Sequence, residues 1–82
     1  MEVREQLRKF FMEELKDRGF DEGIGDDVSM IDAGIMDSLA ILVTLSFLEE
    51  RFGIIIDEDK LKPDNFETVD AICKFVKKNG KF

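Results

Sequence analysis

The 82-residue sequence predicts a small all-α bundle in a single domain, residues 1–82. Three observations lead there. Apolar residues recur at helical spacing in separate stretches, and glycine stands near the ends of those stretches. The one run that resembles a strand, Ile54-Ile55-Ile56, has no second strand to pair with. At this length a chain buries about 60–70 % of its unfolded surface, and the hydrophobic fraction of 44 % is that of a globular domain.

The first helix is carried by Val3, Leu7, Phe11 and Leu15 at i, i+4 spacing, with Phe10 widening the stripe and Gly19 as its stop. From Gly19 to Asp37 there are four glycines and no sustained period, which predicts a long loop pinned to the core by Val28, Ile31 and Ile35. Ser38 to Phe52 predicts a second helix, with Asp37 or Ser38 as N-cap and Gly53 as stop. Ile54-Ile55-Ile56 then reads as a buried connection into a short helical turn around Asp57–Leu61, and Pro63-Asp64-Asn65 as a turn. A last helix follows Thr68, with Val69, Ile72, Cys73 and Val76 on one stripe and Lys74, Lys77 and Lys78 toward its C-terminus, where cations suit the helix dipole. Asn79-Gly80 ends it.

The charge is unevenly laid out. The formal charge of −7 arises almost entirely from residues 19–37, which hold six acids (Asp21, Glu22, Asp26, Asp27, Asp32, Asp37) and no base, while residues 1–18 balance and residues 38–82 carry a net −1. Such a run solvates a loop, and with no cation inside it, it predicts stabilisation by salt. Net acidity argues against non-specific nucleic-acid binding, which needs clustered Lys and Arg. The chain has no histidine, which removes His-based acid–base catalysis and nucleophile pairs as well as the commonest zinc ligand. No catalytic residue and no metal site are therefore expected. A calcium loop is a weak alternative, because Asp21-Glu22-Gly23 and Asp26-Asp27 lack the EF-hand spacing. The single cysteine, Cys73, cannot form an internal disulfide and reads as a small core residue. The charged opening residues are unlike a signal peptide, and the longest uncharged stretch, Ser38 to Leu48, is 11 residues, too short to span a bilayer. A cytoplasmic monomer is the expectation.

The second helix carries more apolar surface than one stripe needs. Ile41, Leu45, Leu48 and Phe52 form the expected core line, whereas Leu39, Leu42 and Val43 lie off it, on a face that continues through Ser46 to Glu49 and Glu50. Either this helix is covered on several sides, or the strip docks partner proteins. Ser38 opens that strip. A serine there is explained by capping alone, yet a helix N-terminus also tolerates a phosphodiester. With no histidine and no GxSxG turn, Ser38 is a poor candidate for a hydrolase nucleophile. Any chemistry at Ser38 is performed on it by another enzyme.

Asp37-Ser38-Leu39, preceded by Gly34-Ile35-Met36, resembles the attachment motif of acyl, peptidyl and aminoacyl carrier proteins. The resemblance continues through Leu48-Glu49-Glu50-Arg51-Phe52-Gly53 at the end of the second helix, through Ile54-Ile55-Ile56-Asp57, and through Phe66-Glu67-Thr68-Val69 with Ile72, so that it covers essentially the whole chain. It implies a four-helix bundle of three longer helices, one short helix and a long first loop. It also implies that Ser38 receives 4′-phosphopantetheine from coenzyme A, through a magnesium-dependent phosphopantetheinyl transferase. The thiol of that arm, not Cys73, would hold an acyl or aminoacyl group as a thioester, delivered by a loading ligase and taken by a downstream transferase. By the same resemblance Asp37 helps to position the modifying enzyme and its metal. Leu39 is a contact beside the arm, and Leu42, Val43, Ser46, Glu49 and Glu50 extend the recognition face.

Among the pathways such carriers serve are fatty-acid, polyketide and nonribosomal peptide synthesis. Fatty-acid-synthase carriers place acids at and just after the start of this helix. Here the corresponding positions are Ala40 and Val43, and nothing between Ser38 and Leu48 is charged. The chain is thus closer to discrete carriers of aminoacyl, D-alanyl or specialised acyl groups. The alternative from another class is an unmodified helical interaction module that binds through the apolar face of the second helix, with Ser38 only a cap.

Overall fold

The computed structural model describes residues 2–80. Three α-helices make up the architecture, α1 (Val3–Glu14), α2 (Ser38–Phe52) and α3 (Val69–Asn79), with no strand among the described residues. All three lie where the apolar spacing predicts them. α1 buries Val3, Leu7 and Phe11, and Leu15 follows them into the core just beyond the helix. The chain then tightens into a 3-10 turn, Lys16–Arg18, and reverses at Gly19, whose φ of 105° is open to glycine at little cost. α3 buries Val69, Ile72, Cys73, Phe75 and Val76, and α1 and α3 pack on each other. Cys73 is a core residue, as its stripe implies.

The short helical turn expected around Asp57–Leu61 is a 3-10 turn, Glu58–Lys60, and the turn expected at Pro63-Asp64-Asn65 is a second, Pro63–Phe66, so that among the described residues the two do not join into a fourth α-helix. Proline explains the break. Pro63 lacks an N–H and holds Lys62 extended, at φ −93° and ψ 133°, so no helix can run through the junction. The Asn65 side-chain amide donates to the Lys60 carbonyl at 2.9 Å and ties the two turns together. The triple isoleucine is not a wholly buried connection either: Ile54 is buried, Ile56 half-buried and Ile55 exposed, as an extended segment alternating its sides requires.

The loop over 19–37 is held down differently from expectation. Ile35 is buried, but Val28 and Ile31 are only half-buried, and the principal anchors are Phe20, Met30 and Met36. The backbone sets this. The N–H groups of Ile35 and Met36 both donate to the Met30 carbonyl, at 2.9 and 3.0 Å, which folds a compact turn around Met30. The Met30 N–H donates to Glu67 at 2.7 Å and the Asp70 N–H to Asp26 at 2.9 Å, so the loop is stitched to the entry of α3.

Its charge is compensated from outside. Arg4 and Arg8 on α1 reach Asp26 at 2.7 and 2.8 Å, and Arg4 also reaches Asp70. Asp70 first and Asp26 second hold the Arg4 guanidinium still more firmly protonated than usual. Arg18 pairs with Asp37 at 2.6 Å. The premise of unrelieved repulsion in the loop is therefore corrected: two of its six carboxylates are ion-paired, and salt that screens the remaining repulsion also weakens those pairs.

Candidate functional site

The start of α2 is fixed before Ser38 is reached. Ile35 and Met36 are buried, and the buried Thr44 hydroxyl donates to the Met36 sulfur at 3.8 Å, which anchors the approach to the helix. Asp37 is the N-cap. Its backbone is extended, at φ −87° and ψ −176°, and its Oδ1 accepts from the Ala40 N–H at 2.8 Å. The other carboxylate oxygen, Oδ2, accepts from Arg18. Of the two candidate caps, Asp37 therefore does the capping. Ser38 is the first residue inside the helix, exposed to solvent, and its hydroxyl has no hydrogen-bond partner among the described residues.

α2 is turned slightly from the predicted orientation. Leu45, Leu48 and Phe52 are buried as expected, but Ala40 and Thr44 join them and Ile41 is only half-buried. The cause is the aromatic contact with α1. Phe10 and Phe47 stack with ring centroids 4.0 Å apart, and Phe47 meets Phe52 edge-on at 5.9 Å, which rotates the Phe47 side of the helix inward. Arg51 lies 5.5 Å from the Phe47 ring and donates to Gln6 at 3.0 Å, closing the same seam. Of the predicted recognition face, Leu39 and Leu42 are 57 % and 62 % exposed, Ser46, Glu49 and Glu50 are exposed, and Val43 is half-buried.

The displaced Ile41 lines a groove that begins at Ser38. One wall is Ser38, Ile41, Leu42 and Leu45; the other is Leu61, Pro63 and Phe66, from the segment between the helices. Its volume is about 300 Å³, and Ser38 is the one polar residue in its lining. The sequence reading missed the second wall. The available signal was Leu61, an apolar residue between Lys60 and Lys62 that remains 46 % exposed. It also missed Arg18, for which there was no signal, since the partner lies 19 residues away. Among the described residues no three acidic or sulfur side chains gather closely enough to hold a metal ion. No helix among them is long and apolar enough to cross a membrane.

A family model described as a phosphopantetheine attachment site matches residues 5–76. The chain belongs to the phosphopantetheine-binding carrier family. No curated protein matches it. Carriers of this family bear a covalently attached 4′-phosphopantetheine, are not themselves catalytic, and interact with phosphopantetheinyl transferases and with the enzymes of their pathway. The start of α2 fits that group on physical grounds. It offers an exposed, unengaged hydroxyl, the partial positive charge of a helix N-terminus for a phosphodiester, and an apolar groove leading away from the hydroxyl.

Proposed function

We propose that residues 1–82 form one acyl carrier domain, with Ser38 as the attachment point of the 4′-phosphopantetheine arm. The arm supplies the terminal thiol on which the cargo is held as a thioester. The observation that carries this reading is the division of labour at the start of α2: Asp37 satisfies the helix N-terminus, so the Ser38 hydroxyl is exposed and idle. A serine kept only as a cap would make the bond that Asp37 makes.

The groove supports an apolar acyl group over an aminoacyl one. Its walls are hydrocarbon apart from Ser38 at one end, so an ammonium held along it would lose hydration for little return. The absence of charge from Ser38 to Leu48 supports partners that read an apolar surface, hence a specialised pathway rather than bulk fatty-acid synthesis. In this reading Asp37 and Leu39 meet the transferase, and Leu42, Val43, Ser46, Glu49 and Glu50 meet the loading and accepting enzymes. The free, buried Cys73 supports a reducing, cytoplasmic setting.

The exposed Leu39 and Leu42 also suit an unmodified interaction module, and one experiment separates the two. Purified protein is incubated with a broad-specificity phosphopantetheinyl transferase, coenzyme A and Mg²⁺, and its intact mass is measured. The expected result is one phosphopantetheine adduct on the wild type and none on Ser38→Ala. An unmodified wild type, or an adduct that persists in Ser38→Ala, overturns the assignment.

A further inference from the structure

We propose that Arg18 is the positioning cation of the attachment site: it holds Asp37 in its capping arrangement and cancels the carboxylate's charge, so that a phosphodiester on Ser38 does not face a second anion. The inference rests on Ser38 being the attachment point.

Asp37 is engaged on both oxygens, Oδ1 by the Ala40 N–H at 2.8 Å and Oδ2 by Arg18 Nη1 at 2.6 Å. Arg18 reaches it because α1 is followed by the 3-10 turn Lys16–Arg18 and by the left-handed Gly19, which bring the end of that segment against the start of α2. The pair thus closes the mouth of the loop over 19–36. Arg18 is the cation seen paired with Asp37 among the described residues. Residues 19–50 contain neither Lys nor Arg, and Arg4 and Arg8 are committed to Asp26 and Asp70.

In the unmodified chain the pair does little for stability, since its side chains are 28 % and 49 % exposed and such pairs are well solvated. Modification changes the balance. It adds a full negative charge on the residue next to Asp37, against which the helix N-terminus offers only about half a positive charge. Without Arg18 two anions share one helix start; with it, the phosphodiester has the dipole to itself. A residue that merely braced the loop would matter equally before and after modification. A charge-balancing residue matters more after it.

The test is urea denaturation at low salt of wild type and Arg18→Gln, each unmodified and phosphopantetheinylated, with intact mass confirming the state of each sample. The expected result is that Arg18→Gln changes the folded-to-unfolded ratio of the unmodified protein by about twofold or less, and lowers that of the modified protein by about fivefold. The excess should shrink in 0.5 M salt, and Arg18→Lys should restore most of it as a point charge without the planar fork. Equal losses in both states, or an excess indifferent to salt, overturn the proposal and make Arg18 a structural brace. A wild type with no adduct at Ser38 is seen by mass before any denaturation, and removes the attachment reading together with this one.

Discussion

The N-termini of α2 and α3 are built on the same hydrogen bond. An N-cap oxygen accepts from the N–H three residues on, Asp37 from Ala40 at 2.8 Å and Thr68 from Ala71 at 2.9 Å. They differ in what comes next. In α3 the first helical residue is Val69, fully buried, beneath a neutral cap. In α2 it is Ser38, exposed and unengaged, beside a charged cap that is itself paired with Arg18. One helix start is spent on the core. The other is satisfied by its neighbours and leaves its own side chain for use.

Substitutions at matched positions sharpen the contrast, and the largest effect is at the two first-turn residues. Ser38→Ala should abolish the phosphopantetheine adduct completely while moving stability by less than about 0.5 kcal/mol, because that hydroxyl caps and packs against nothing. The reciprocal change, Val69→Ser, should cost about 2–3 kcal/mol in urea denaturation, since it leaves both a void and a hydroxyl in the core, and should not affect modification. A stability loss in Ser38→Ala as large as that of Val69→Ser would break the comparison.

The caps rank next. Asp37→Ala removes the cap and the ion pair together and should cost about 1–2 kcal/mol, and Thr68→Ala about 1 kcal/mol. Asp37→Asn retains a side-chain acceptor for the Ala40 N–H, so it should be milder than Asp37→Ala. Only the Asp37 variants should also slow modification by the transferase, which a mass time course reads directly.

A stability effect as small as that of Ser38→Ala is expected on the open face of α2. Leu42→Asp should lie within about 0.5 kcal/mol of the wild type while impairing transfer by partner enzymes. A collapse of the fold would instead assign Leu42 to the core.

A last contrast is between the α2 hydroxyl and the α3 thiol. Burial pushes the Cys73 thiol above its ordinary value of about 9, with Arg4 and Lys77 pulling the other way. The folded protein should therefore react slowly with iodoacetamide at pH 8. Because the unfolded chain's thiol ionises first, stability should fall as the pH rises above about 9. Rapid alkylation of the native protein would show that Cys73 is reachable.

Local signals carried much of the fold. The i, i+4 spacings of Val3–Phe11 and Ile72–Val76, the start of the last helix after Thr68 and the stop at Gly53 are each properties of a few neighbouring residues, and each is found where it was expected. What was misread depended on distant partners. Ala40 joins the core and Ile41 is only half-buried because a Phe10–Phe47 stack between two helices sets how α2 is turned. The loop anchors shifted from Val28 and Ile31 to Phe20, Met30 and Met36 through backbone bonds to Met30 and Glu67, which no periodicity announces.

The same boundary runs through the candidate site. The sequence by itself determined that the chain is helical and that histidine-based chemistry is closed to it, and its resemblance to carrier proteins pointed to Asp37-Ser38-Leu39. The first two follow from composition and from contacts a turn or less apart. Only the tertiary structure decided that Asp37 rather than Ser38 is the cap, that Arg18 answers it from 19 residues away, and that Leu61, Pro63 and Phe66 form the far wall of the groove. Capping choice, ion pairing and groove closure depend on which atoms meet in space, and local periodicity holds no information about partners brought together by the folding of the whole chain.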